Sequence, residues 1–393
     1  MSRSSPASWI AVAFCGVLSM STAWAASNTH HASALDADSA AATQNENTLE
    51  AVASFGDDFK LVGIGVSSSG RIFASAPSGG LNSGTSLVEV DPDTGKSTPY
   101  PNIEWNQFQS DAPGKHQWIA VQALWVDADD HLWTLDKSSP KLDAAQWPPK
   151  LVEFDLSTHK VVQEYTFENT ITPKDSLNDV RVDLKHGYAY LTDAANQGGL
   201  VVLNLKTCKS RLVLAGDRSS VAESGQHLMF DSRIARRKDG KILVLQSDGI
   251  ALSPDRKWVY YRPLTDHNYW RIPTTSLIDE SLSSKELAAS KQFLGTDVMS
   301  GGIEMDDDGV LYAGDLEKRT VVALTPVEKD DEPRLESTVL VKPHPELAWA
   351  DGFAVHDGYL YIADSHLNEV AFSNGYPREG RFTIFRVKLL NRG

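Results

Sequence analysis

A chain of 393 residues with 41% hydrophobic and 23% charged side chains can bury a sizeable core, which excludes general intrinsic disorder. Its 52 acidic against 37 basic residues give a formal charge of −15, and that balance argues against nucleic acid and anionic membrane surfaces as partners, because phosphates need cationic contacts. Two cysteines, Cys15 and Cys208, allow one disulfide at most, and none once a leader carrying Cys15 is removed.

Residues 1–25 have the three parts of a secretory signal: Arg3 in a short positive region, an apolar stretch at 9–20, and the cleavage site Ala23-Trp24-Ala25. The apolar stretch is too short for a stable membrane anchor. The expected location is therefore secreted or periplasmic, without stable membrane insertion. Cys15 follows the bulky Phe14, which argues against lipidation. Loss of Arg3 leaves 36 basic residues and a charge of −16. Residues 26–48 are rich in Ala, Ser, Asn and Thr without periodicity and read as a disordered linker, with His30 and His31 as solvated tail residues.

From residue 49 onward one sentence recurs six times. Its clearest copy, DGIALSPDRKWVYYRPLTDHNYWRIP, reads as an apolar strand, a tight polar turn, an aromatic strand, a longer loop and a third strand. The aromatic strands are RIFASA, HLWTLD, YAYLTD, WVYYRP, VLYAGD and YLYIAD, and their aligned rings (Phe73, Trp133, Tyr190, Tyr260, Tyr312, Tyr361) are spaced by 60, 57, 70, 52 and 49 residues. Fourth strands follow in five repeats. The sixth lacks one, and the alternating segment LEAVASF at 49–55 has no other partner. The chain is therefore expected to close on itself as an all-β, six-bladed β-propeller over 49–393, with the N-terminal strand completing the last blade. Cys208 falls in a turn and reads as a turn residue.

The turns between first and second strands are short and alike (SSSGR, DADDH, LKHG, SPDRK, DDDG, VHDG), whereas the loops of the opposite face are long and all different. Variation on one face of a rigid repeat marks the binding face. That face receives the starts of the inner strands, where Gln122, Asn178 with Asp179, Asp248 and Asp351 recur, with Glu304 further down blade five. Carboxylate and amide oxygens converging on an axis are the ligands that Ca²⁺ or Mg²⁺ prefers, which makes Asn178, Asp248 and Asp351 a candidate metal set. Capping of strand entries is the competing role. Trp349 and Phe353 flank Asp351 and could wall a ring-shaped ligand whose amine Asp351 pairs. His267, His366 and His227 fall in loops of the same face as candidate general bases. Nothing in the chain spells a nucleophile elbow, a phosphate loop or a zinc spacing.

The segments ADGFAVHDGYLYIADSHLNEV, SLNDVRVDLKHGYAYLTDAANQGGLVVLNLKT and DGIALSPDRKWVYYRPLT together resemble the major royal jelly and Yellow protein family, in its bacterial branch. The resemblance implies a secreted six-bladed propeller with a small-molecule pocket at the channel mouth. It does not fix one activity, since insect members include dopachrome-converting enzymes and binders of biogenic amines. DGIALSPD and GGIEMDDDGVLYAGD also resemble gluconolactonase-type propellers, which hold a divalent metal by a Glu, two Asn-like residues and an Asp. Asn178, Asp248 and Asp351 match that set in part, but Val62-Gly63-Ile64 stands where those enzymes place their Glu, and Gly301 where blade five could give a ligand.

The leading expectation is a protein that binds, or isomerises, a small cyclic or aromatic metabolite at the channel mouth through Asn178, Asp248, His267, Asp351, Phe353 and His366. The alternatives are a metal-dependent lactone hydrolase using Asn178, Asp248, Asp351 and Glu304, and a non-catalytic extracellular scaffold.

Overall fold

The computed structural model describes residues 48–77, 84–111, 116–139, 141–167, 170–195, 197–370 and 381–389. The signal segment at 1–25 and the linker up to residue 47 lie outside the described residues.

Among the described residues, six antiparallel sheets of four strands form the blades of a β-propeller. The inner strands, in blade order, are Gly63–Val66, Val121–Val126, Leu177–Asp183, Ser247–Leu252, Ile303–Met305 and Ala350–His356. Five blades run in simple sequence order. In the sixth, Glu50–Phe55 pairs antiparallel with Phe382–Lys388 and supplies the outer edge, with Phe55 opposite Phe382 and Glu50 opposite Arg386. Arg386 Nε donates to Glu50 Oε2 at 2.8 Å, and the Ser54 and Thr383 hydroxyls bond at 3.1 Å across a sequence separation of 329.

Alternation sets the packing. The six aligned aromatics are all 6% exposed or less, and six clusters of apolar side chains each bridge one pair of neighbouring blades. At the seam, Ile64 and Val88 of blade one pack with Phe382 and Ile384 of blade six. Between blades two and three, Trp133 packs with Leu191 and Val180. Truncating a ring buried like Trp133 costs about 3–5 kcal/mol. Each tight turn carries a left-handed residue, Gly70, Asp130, Gly187, Arg256, Gly309 and Gly358, with φ between 58° and 82°, and the last adds Asp357 at φ 46°. Cys208 is exposed in a similar turn at φ 56°.

The aspartate that ends several second strands clamps the segment arriving from the previous blade. Asp136 accepts the amides of Ile119 and Ala120 at 2.8 and 2.9 Å, Asp193 that of Ser176 at 2.7 Å, and Asp364 that of Trp349 at 2.5 Å. Charged acceptors on backbone N–H groups make strong bonds, so these clamps fix where the mouth loops begin. Between blades three and four, a long connection forms the small hairpin Met229–Phe230 with Arg233–Ile234. Its Leu228, Phe230 and Leu243 pack on Leu264, Met299 and Trp349, so this connection roofs the face over blades four to six. Two short helices, Thr274–Ile278 and Ser284–Ala289, interrupt blade four outside the third strand, the second closed by a capping box between Ser283 and Glu286. No described helix is long and apolar enough to cross a membrane.

Candidate functional site

Four of the six inner strands carry one extra residue at the end facing the mouth. The pairing slips between Val121 and Ala123, Leu177 and Val180, Ser247 and Ile250, and Ala350 and Gly352. The unpaired residues are Gln122, Asn178 with Asp179, Asp248 with Gly249, and Asp351. A β-bulge bends its strand and re-aims a side chain, and here four bulges turn polar groups onto one axis. Neighbouring strands are knit at the same level: Thr192 Oγ1 donates to the Asp248 carbonyl at 2.6 Å, and Gly302 N to the Asp351 carbonyl at 2.9 Å.

Gln122, Asn178, Asp248 and Asp351 form the floor of a cavity of about 1060 Å³ at the channel mouth. Gln122 Nε2 donates to Asn178 Oδ1 at 2.9 Å, and Trp349 Nε1 to Asp351 Oδ1 at 3.2 Å. Burial pushes the Asp351 carboxyl up to about 7, with the Trp349 hydrogen bond opposing. Burial, reinforced by the charges of Asp351 and Asp179, pushes Asp248 well above the usual carboxylate range. Burial thus drives both carboxyls of the floor toward their protonated forms. Leu243, Leu245 and Leu264 give it an apolar side, while Lys174, Arg237 and Lys238 put cations around the rim.

Lys137, just beyond the Asp136 clamp, was not singled out by sequence reasoning. Burial pushes its ammonium down, while Asp248, Asp351 and Asp136 act on it in the opposite direction. It is the cation of the floor. A second unforeseen residue is Arg181, whose guanidinium closes the channel below. Only 4% of its side chain is exposed, and it donates to Asp179 Oδ1 at 2.9 Å, to the Ile303 carbonyl at 2.8 Å and to Glu304 Oε2 at 2.8 Å. Its signal was the alternation of Asp179 and Arg181 on an inner strand, which sends both toward the axis.

The other sequence candidates are dispersed. Phe353 is buried and lines the narrow channel and its lower mouth rather than the upper cavity. Trp349, 1% exposed, orients Asp351 and packs 5.7 Å from Phe230 under the roof, so it presents little ring surface to a ligand. His267 and His366 do not line the cavity. His267 Nδ1 lies 2.6 Å from the Asp297 carbonyl, toward the outer strand of its own blade. His366, at φ 46°, is turned inward, with Nε2 3.1 Å from Asp364 and Nδ1 3.2 Å from Glu369. His227 is half-buried and lies outside the cavity lining. Glu304 is committed to Arg181 below the floor.

As placed, the proposed metal set cradles Ca²⁺ or Mg²⁺ poorly. These ions take six or more oxygens. The site offers two carboxyls, an amide oxygen already accepting from Gln122, and Lys137 lining the same cavity. Blade one contributes Val62 and blade five Gly302, neither with a ligand atom on its side chain. Among the described residues no group of three or more His, Cys, Asp and Glu is arranged to hold a metal ion.

A family model for the major royal jelly proteins matches residues 119–392. Major royal jelly protein 3 of Apis mellifera is 24% identical over 229 residues, 55% of this chain and 39% of that protein. Major royal jelly protein 8 is 25% identical over 229 residues, 55% of this chain and 52% of that protein. The chain thus spans about half the length of these relatives or less. Among solved structures, a luciferin-regenerating enzyme superposes with a TM-score of 0.54 at 11% identity, covering 88% of this chain and 96% of its own. A gluconolactonase from Xanthomonas campestris gives 0.52 at 11% identity, covering 90% and 93%. At such identities the likeness is one of fold.

Proposed function

The chain belongs to the major royal jelly protein family, and from that premise we propose that it binds a small cyclic or aromatic metabolite in the mouth cavity. The observation that carries this reading is the bulged floor, where Asp248, Asp351, Asn178 and Gln122 face a cavity of about 1060 Å³, at the upper limit of the size of small-molecule sites. A ring carrying an amine or hydroxyl finds acceptors and donors at the floor and apolar cover from Leu243, Leu245 and Leu264. With its carboxyl near 7, Asp351 is also suited to giving and taking a proton near neutrality, which is what isomerising such a ring requires. The secretory signal read at 1–25 supports a location outside the cytoplasm for this activity.

Titration calorimetry with catechols, aromatic amines and sugar lactones, each with Ca²⁺ and with chelator, tests the reading. At least one ring compound should bind one-to-one without metal and lose affinity in Asp351→Asn. Absence of binding by every ring compound sinks it. Binding confined to lactones with Ca²⁺ moves the assignment to metal-dependent lactone hydrolysis.

A further inference from the structure

A second cavity, of about 390 Å³, opens beside the first between blades two and three, and Lys137, Lys174 and Ser176 line both. Its size alone falls within the range of small-molecule sites. Its far wall is carbon: Leu142, Trp147, Pro149, Ile171 and Pro173. Trp147 is held firmly, edge-on to Phe108 at 5.0 Å, with its carbonyl accepting from Ser138 Oγ at 2.6 Å.

Several polar groups of this wall are already engaged within it. Thr172 donates to Asp175 Oδ2 from both N and Oγ1, at 2.7 and 2.8 Å, and the Ser139 hydroxyl accepts from Lys141 N at 3.3 Å. An occupant finds apolar surface there and little to hydrogen-bond. At the junction with the main cavity the chemistry reverses: Lys137 and Lys174 line both spaces, Lys137 under the charges of Asp248, Asp351 and Asp136, and Lys174 on the exposed side beyond them. Two ammonium groups at the edge of an apolar cleft favour an anionic or strongly accepting group beside them.

Building on the binding function proposed above, we infer that the site is bipartite. The polar ring sits over Asp248 and Asp351, an acceptor such as a carboxylate, phenolate or sulfonate lies under Lys137 and Lys174, and an apolar or aromatic substituent fills the cleft against Trp147. The ligand class is thus a ring with an apolar arm, rather than a bare sugar or a simple amine.

The test compares catechol, 4-butylcatechol and 8-anilinonaphthalene-1-sulfonate by calorimetry on the full chain, on Ala144→Trp, which fills the cleft from an exposed position, and on Leu142→Ser. The butyl chain should tighten binding about tenfold or more over catechol, the expected effect of burying several methylenes. Ala144→Trp should erase that gain and leave catechol unchanged, Leu142→Ser should reduce it, and Lys174→Met should weaken only the sulfonate. Catechol binding without a butyl gain overturns the bipartite site and leaves the binding function standing. Binding of the sulfonate alone, one per chain and lost in Ala144→Trp, supports the cleft and refutes the assignment of the floor. Binding of none of the three overturns both.

Discussion

The Arg181 guanidinium reaches from blade three past blade four to the Glu304 carboxylate of blade five, Nη2 to Oε2 at 2.8 Å, while holding Asp179 at 2.9 Å. It separates the mouth cavity from a lower one of about 290 Å³. Two buried carboxylates share one buried guanidinium, so removing the cation strands both. Arg181→Met should cost about 3–5 kcal/mol in urea denaturation, and the double variant Arg181→Met/Glu304→Gln should recover part of that loss. A single-variant cost below about 1 kcal/mol would show a solvated pair of the kind found on surfaces, not a closed channel.

The same arrangement makes stability depend on pH. Burial pushes the Glu304 carboxyl up to about 7 from an ordinary 4.5, against the pull of Arg181. Between those values the native state holds a proton that the unfolded state has released. The contribution of this group is therefore complete below pH 4.5 and is lost as pH rises through 7. The difference in urea midpoint between the wild type and Glu304→Gln should shift between pH 5 and pH 8 in that direction. A difference that stays flat, or one that favours the wild type more at pH 8, contradicts the assignment.

Much of this architecture was legible because propeller repeats write their period into the chain. The aligned aromatics from Phe73 to Tyr361 lie in the blade boundaries, and the unpartnered strand before residue 56 pairs with Phe382–Lys388. Asn178, Asp248 and Asp351 converge because all three stand at the mouth ends of inner strands. The bulges that aim them were not legible, since a single extra residue leaves no period to detect. Lys137 escaped notice because the direction of a side chain in a loop depends on backbone turns such as the left-handed Ser138, φ 58°, that follow no repeat. The orientation of His366 was hidden for the same reason: a left-handed backbone turns this loop histidine inward onto Asp364 and away from the mouth cavity.

Gly301, the position where blade five could have offered a ligand, instead makes room for one. A Cβ there would collide with Asp351 Oδ1 and stand 3.5 Å from Trp349 Nε1. Since Trp349 anchors that carboxyl, the collision is not relieved by a simple swing. Gly301→Ala should displace Asp351, costing about 1–3 kcal/mol of stability and at least about tenfold in affinity for whichever ring compound the wild type binds. Unchanged affinity in a folded Gly301→Ala protein would mean that Asp351 does not touch the ligand.

The last prediction concerns the charge at the floor. A carboxyl such as Asp248, raised by burial and by the charge of Asp351, needs either a proton or a cation, and Lys137 supplies a cation from the chain itself. A divalent ion would have to share the space with that ammonium and draw the Asn178 amide oxygen away from Gln122. Chelator should therefore leave the thermal midpoint of the wild type unchanged. In Lys137→Met the internal cation is gone, and Asp248 and Asp351 must hold their protons more tightly or recruit an external ion. That variant should be stabilised by Ca²⁺ where the wild type is not, and Asp351→Asn in the same background should abolish the response. One tightly held divalent ion per wild-type chain by elemental analysis, lost in Asp351→Asn, would reverse the argument: Lys137 would then be a neighbour of a metal site rather than its replacement, and lactone hydrolysis would become the leading function.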